Sequence, residues 1–179
     1  MKKFELTTES IETVSGEKLF RIKALVSFDA VEAGELGGYV EKEENLSHEG
    51  NAWVYDNAQV YGNARVYGNA WVYGNAQVYG NARVYGDAQV CGDADIYDNS
   101  QKSSVDGFGS ENRTTTFFRE KSGGVGVKCG CFYGTLDEFR EKVRKTHGDS
   151  EIAQEYLAIA DVEERRFKRV AKKGDSRCI

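Results

Sequence analysis

The chain has 179 residues, 40% hydrophobic and 30% charged, and its 24 Lys+Arg against 29 Asp+Glu leave a formal net charge of −5. That length allows one substantial core or two small ones; no apolar run approaches the roughly 20 residues of a membrane span, so no membrane partner is expected, and the mild net charge argues neither for a nucleic-acid mimic nor against any partner, although nucleic acid is not an expected one. The N-terminal Met1-Lys2-Lys3-Phe4-Glu5-Leu6 lacks the apolar core of a secretory signal, which makes the cytoplasm the expected location, and four cysteines are too few for a disulfide framework in a chain this long.

Residues 1–36 read as a β-rich cap, because Phe20, Ile22, Ala24, Val26 and Phe28 alternate after a turn at Ser15-Gly16. Residues 37–101 read as a solenoid. From Asn51 the unit Asn-Ala-x-Val-Tyr-Gly recurs, and Val54, Val60, Val66, Val72, Val78, Val84, Val90 and Ile96 mark a strict six-residue beat. Alternate residues of a short strand face opposite ways, so Ala52 and Val54 point inward while Trp53 and Tyr55 point outward. Gly and Asn tolerate positive φ and supply the corners of a chain with no proline.

Three strands and three corners close a triangular coil of 18 residues, and the outward variable position supports this independently: it reads Trp53, Gln59, Arg65, then Trp71, Gln77, Arg83, then Gln89, Asp95. Trp53 and Trp71 should stack on one face, Gln59 and Gln77 on the second, Arg65 and Arg83 on the third. Ahead of the array, Val40 and Leu46 are six apart but Val54 follows Leu46 by eight. Two extra residues near Ser47-His48-Glu49-Gly50 are therefore expected to loop out. An open solenoid end exposes strand edges and apolar lining, so a cap is physically required.

After Ile96 the beat fails, since Lys102 holds the next position. Residues 102–113 are polar and Gly/Ser-rich and read as a linker. Residues 114–179 read as a C-terminal ββαα unit with a basic tail. Thr115 to Arg119 and Val125 to Phe132 are strands around the turn Lys121-Ser122-Gly123-Gly124. Thr135-Leu136-Asp137-Glu138 is a capping box opening a helix with the apolar stripe Leu136, Phe139 and Val143. Gly148 ends it, Asp149 or Ser150 caps a second helix, and Ile152, Tyr156, Ile159, Phe167 and Val170 give that helix one apolar side.

The pairing of an aliphatic with a small residue four positions on, as in Val54 and Ala58 or Val60 and Ala64, resembles hexapeptide-repeat left-handed parallel β-helices. The resemblance implies a mainly β fold with left-handed coiling, where the usual crossover preference is for the right hand. Acyltransferases of that class carry Gly, Ala, Glu or Asp after the aliphatic; here the position is Tyr or Cys. That departure, with Gly37-Gly38-Tyr39-Val40 and Asn45-Leu46-Ser47 before the array and Cys129-Gly130-Cys131-Phe132 and Gly134-Thr135-Leu136-Asp137-Glu138-Phe139 after it, is similar to bacterial and bacteriophage proteins with "NARVYGNA"-type repeats.

Candidate binding residues are Trp53, Trp71, Arg65, Arg83, Tyr67 and Tyr85 on the coil exterior. Large exposed aromatic surface marks an interface, and aromatics beside arginines stack bases and hold phosphates; the alternative is that Tyr ladders only stabilise the coil. The expected partners are further copies of the chain, as a dimer or trimer, a host protein, or a nucleotide ligand. No cofactor or metal is implied: His48 and His147 are the only histidines, and no phosphate loop, nucleophile elbow or metal motif occurs.

His48, in the looped-out segment, is a solvated loop residue or, alternatively, a catalytic base; His147 meets a helix C-terminus. Cys91 fills a Tyr position, Cys129 and Cys131 read as buried hairpin thiols, and Cys178 lies in the tail. Arg165, Arg166, Lys168, Arg169, Lys172 and Lys173 give the last helix a basic, solvated face. The resulting expectation is a non-enzymatic binding or scaffold protein. The resemblance to bacteriophage proteins implies inhibition of host defence, by binding a defence protein or sequestering a nucleotide signal. The rival is an acyl-CoA-dependent acyltransferase with His48 as base.

Overall fold

The computed structural model describes residues 1–175, with side chains through Val170; Cys178 and the side chains of Lys172 and Lys173 lie outside them. Two compact units divide at Asn99 and Ser100.

The first unit opens with β1 (Phe4–Glu12), β2 (Lys18–Ala24) and β3 (Leu36–Val40). Eight two-residue strands follow, Trp53–Val54, Gln59–Val60, Arg65–Val66, Trp71–Val72, Gln77–Val78, Arg83–Val84, Gln89–Val90 and Asp95–Ile96, numbered β4 to β11. They stack in parallel every third strand, with Trp53 opposite Trp71, Gln59 opposite Gln77 and Arg65 opposite Arg83. Coils of 18 residues therefore form a three-sided β-solenoid. Its first face holds β4, β7 and β10; its second β3, β5, β8 and β11; its third β6 and β9.

The stacking is a ladder of main-chain hydrogen bonds from one coil to the next, such as Trp53 N to Ala70 O at 3.0 Å, Gln59 N to Ala76 O at 2.9 Å and Arg65 N to Ala82 O at 3.0 Å. Within it all eight residues of the beat are at most 1% exposed and the alanines from Ala52 to Ala94 are fully buried. A tube lined by Val, Ile and Ala alone has no polar side chain to satisfy. The corners need positive φ, which glycine supplies at Gly74 (φ 71); where Asp56 stands in the same corner one coil earlier (φ 53), its carboxylate accepts from Gly74 N at 3.0 Å.

The irregular start follows the spacing. Tyr39 pairs with Gln59 and Leu46 with Val66, each 20 residues on, whereas Trp53 pairs with Trp71, 18 on. The two extra residues are thus absorbed between Leu46 and Trp53. The cap is the antiparallel hairpin of β1 and β2, hydrogen-bonded to β3 so that it prolongs the second face to the order β1-β2-β3-β5-β8-β11. The expected alternation through Phe28 holds only in part. β2 ends at Ala24, and a register irregularity between Arg21 and Lys23 changes its phase, so Leu19 and Ile22 are buried while Phe20 is half-buried.

The second unit departs from the expected boundaries. Residues 102–113 are not a linker: β12 (Lys102–Phe108) pairs antiparallel with β13 (Arg113–Arg119), which pairs with β14 (Val125–Cys129) across the expected turn. The strand was hidden because its residues are mostly polar; pairing with β13 holds it, with Val105 and Phe108 packed on the unit's core. Gly130, at φ 55, turns the chain and splits the expected strand over 125–132 into β14 and β15 (Phe132–Thr135). The unit is therefore ββββαα.

The helix pair is as expected. In α1 (Leu136–His147) Thr135 Oγ1 accepts from Glu138 N at 3.3 Å and Glu138 Oε2 accepts from Thr135 N at 2.7 Å, closing the capping box. For α2 (Glu151–Asp175), Ser150 Oγ accepts from Ala153 N at 3.3 Å. Its buried stripe runs through Ala153, Tyr156, Ala160, Glu163 and Phe167, while Ile152 and Ile159 are half-buried beside it. Arg140 ties the helices together, donating to Asp161 and Glu164, each at 2.7 Å.

Gly37 and Gly38 allow β3 to lie against the first full coil. A Cβ on Gly38 would meet Ala58 O at 2.6 Å and Val54 Cγ1 at 2.7 Å. Gly38→Ala is expected to destabilise the solenoid unit by about 1–3 kcal/mol, whereas Val14→Ala, at a fully exposed position, changes stability by less than about 0.5 kcal/mol. Urea unfolding followed by tryptophan fluorescence measures this unit alone, since Trp53 and Trp71 are the only tryptophans.

Candidate functional site

The three faces present different chemistry. On the first, Trp53 is fully buried, packed edge-on against Phe4 and Phe28 at 6.2 and 5.4 Å between centroids. It is part of the cap's core rather than of an exposed aromatic surface, because the N-terminal segments fold over it. Trp71 is half-buried, edge-on to Tyr55 at 5.6 Å. On the second face, Tyr61 is 9% exposed in a cluster with Leu19 and Tyr39 and stacks on Tyr79 at 5.0 Å. Gln77 Nε2 donates to Gln59 Oε1 at 3.3 Å. These two faces are largely occupied by the protein's own packing.

The third face is open. Arg65 and Arg83 are exposed and occupy successive rungs of one column, about 4.8 Å apart in the hydrogen-bonding direction. Among the described residues neither guanidinium has an ion-pair or hydrogen-bond partner. Beside them Tyr67 and Tyr85 stack at 5.3 Å and 14°. An open cleft of about 620 Å³ runs along this face, lined by Arg65, Arg83 and Tyr67 together with Glu43, Glu44 and His48. The fold thus brings together Arg65, Arg83, Tyr67, Tyr85 and His48 from the sequence-expected set, and leaves Trp53 and Trp71 on another face. Glu43 and Glu44, which no motif signalled, reach the cleft from the short 3-10 turn Glu43–Asn45 just before Leu46 pairs with Val66.

His48 is held on three sides. Its ring stacks on Phe4 at 4.3 Å, Nδ1 accepts from Lys3 N at 3.2 Å, and Nε2 faces Glu43 Oε2 at 3.4 Å. With Nδ1 accepting, the assigned tautomer carries its proton on Nε2, so neither nitrogen offers a free lone pair to the cleft. Glu43 is also bound by Lys2 Nζ at 2.7 Å, and this hydrogen bond, with that of His48, holds its carboxyl below the usual carboxylate range. Lys3 fastens the looped-out segment from beneath: its buried Nζ donates to Gly50 O at 3.2 Å and Ala52 O at 2.8 Å and lies over the Phe28 ring.

In the second unit, Cys129 is half-buried and Cys131 exposed, not two buried thiols, because Gly130 and Cys131 form the hairpin turn. His147 stacks on Tyr156 at 5.8 Å. The basic helix is partly neutralised: Arg166 pairs with Glu163 at 3.4 Å and Lys168 with Glu164. Among the described residues no group of three or more His, Cys, Asp or Glu is placed to hold a metal ion, and no helix is long and apolar enough to cross a membrane.

The family described as the YdcK β-solenoid repeat matches residues 58–74 and 76–92. Each matched segment is one coil, and together they carry Arg65 and Arg83. No curated protein matches the chain.

The rim has a pH signature. Burial lowers the Lys3 ammonium to about 8 from the ordinary 10.5, so between those values the unfolded chain binds more protons and stability rises with pH. Burial raises Tyr55 to about 12 and raises Tyr61 and Tyr79 above the ordinary 10.0. Above that value the unfolded chain loses phenolic protons first, and stability falls. The urea midpoint read by tryptophan fluorescence is expected to climb from about pH 8 to about pH 10 and then drop; Lys3→Met removes the climb and keeps the drop.

Proposed function

We propose that the protein is a non-enzymatic binding protein whose third solenoid face takes an anionic, ring-bearing ligand of the nucleotide class. The observation that carries this is the pair of unpartnered guanidiniums, Arg65 and Arg83, stacked on successive rungs. Like charges held opposite on neighbouring strands repel, and a phosphate between them removes the repulsion while gaining charge-assisted hydrogen bonds. The cleft's 620 Å³ lies within the usual 300–1,000 Å³ of ligand pockets. Tyr67, which lines the cleft with Tyr85 stacked behind it, offers a π-surface to a base, and Glu44 offers an acceptor to ribose hydroxyl or base amino donors. That mix of acid and base favours a nucleotide over a simple polyanion.

Carried over from the resemblance to bacteriophage proteins, the biological role is to bind and withhold a nucleotide signal of a host defence system. Transferase chemistry finds less support, since His48 has both nitrogens engaged and a general base needs a free one.

Calorimetric titration with ATP and with a cyclic dinucleotide tests the reading. Saturable binding that weakens with salt is expected, with Arg65→Ala and Arg83→Ala each costing tenfold or more, roughly the loss of one charge-assisted contact. Absence of binding by both probes, or retention of affinity in the double variant, would remove the third face as the site.

A further inference from the structure

The second unit holds a pocket of its own, about 200 Å³, between the Gly130 turn, the segment around Ser110 and the helices α1 and α2. Its floor is apolar: Phe132, Phe139, Val143 and the Tyr156 ring all belong to or pack on the unit's hydrophobic cluster. That is somewhat more than the roughly 150 Å³ cavity known to hold benzene. Its mouth is cationic. Arg113 is neutralised by Glu111 at 3.4 Å, but Lys142, exposed one helical turn along from the floor residue Phe139, has no ion-pair partner among the described residues. His147 adds a ring nitrogen to the same rim.

Two glycines build the walls. Gly109 (φ 73) passes so close to Tyr156 that a Cβ would meet its hydroxyl at 2.2 Å, and a Cβ on Gly130 (φ 55) would meet Arg113 Nη1 at 2.7 Å. The backbone is therefore drawn over the tyrosine and the guanidinium rather than filling the space between them. Tyr156 is 6% exposed, and burial, with the neighbouring Cys129, raises its hydroxyl above the usual range, so it stays protonated as a donor.

We infer that this pocket is a second ligand site, selective for a small organic monoanion: an aromatic or short aliphatic body on the Phe132–Phe139–Val143 floor, and one carboxylate at the mouth against Lys142. One surplus cation matches one negative charge, and apart from the Tyr156 hydroxyl the floor is apolar, which disfavours a more polar body. The inference is independent of the nucleotide reading, since every residue it uses lies in the other unit.

The test is a ¹⁹F NMR titration of 4-fluorobenzoate with the full chain. Saturable line broadening is expected, with a Kd on the order of 1 mM for a ligand of this size. The neutral isostere 4-fluorobenzamide should bind about fivefold more weakly, and Lys142→Gln should weaken the benzoate by a similar factor. Val143→Trp, which fills the floor, should abolish binding; Thr146→Trp, at an exposed rim position, should do the same without touching the core. Lack of saturable broadening, equal affinity for the amide, or unchanged binding in a folded Thr146→Trp protein would each overturn the inference. Binding that persists in Arg65→Ala/Arg83→Ala keeps it separate from the third-face site, and loss of binding there would refute that separation.

Discussion

The main-chain ladder between coils is the constraint on which the rest of the solenoid depends. Amides along one coil donate to carbonyls of the next at 2.8–3.2 Å, from Ala52 to Asn81. A sheet ladder leaves no freedom of register wherever one side is buried, since a slip of one residue would turn Val outward and the variable residue inward. Eight aliphatic residues at most 1% exposed and eight fully buried alanines fix that register. The consequence is that residues 18 apart must stack, whether or not their side chains benefit.

On the second face and along a corner they do benefit. Tyr61 lies flat on Tyr79, the Gln59 and Gln77 amides bond to each other, and Asn69 donates to Asp87 at 2.9 Å along a corner. On the third face the same rule places arginine on arginine. A column of like charges is opposed by the ladder that imposes it, a local conflict of the kind that concentrates at functional sites. The cap's geometry points the same way. The β1–β2 hairpin prolongs the second face and Phe4 seals Trp53, while Arg65 and Arg83 stay exposed on the third.

Much of this was legible in the residues. The six-residue beat within an 18-residue period fixed the number of faces, the inner and outer sides and the pairing of Trp53, Gln59 and Arg65 with their successors. The eight-residue step from Leu46 to Val54 located the extra residues beside His48. What could not be read was coverage. Trp53 and Trp71 are equivalent in the repeat, yet one is sealed by Phe4 and Phe28, residues distant in sequence and outside any period. The strand Lys102–Phe108 was equally hidden, because a polar segment becomes a strand through its partner Arg113–Arg119 and not through its own alternation. Cys131 was misplaced for a related reason: Gly130 reads as a strand glycine until its positive φ makes it a turn.

The most direct measurement is the stability of Arg83→Gln without ligand, in low salt, read by tryptophan fluorescence during urea unfolding. If the register holds two unpartnered guanidiniums together, removing one charge relieves repulsion and the variant is more stable than the parent by roughly 0.2–1 kcal/mol, a difference that shrinks as salt screens it. A variant equal to or less stable than its parent at low salt would mean that the guanidiniums already have partners, and the third face would lose its claim to be an anion site.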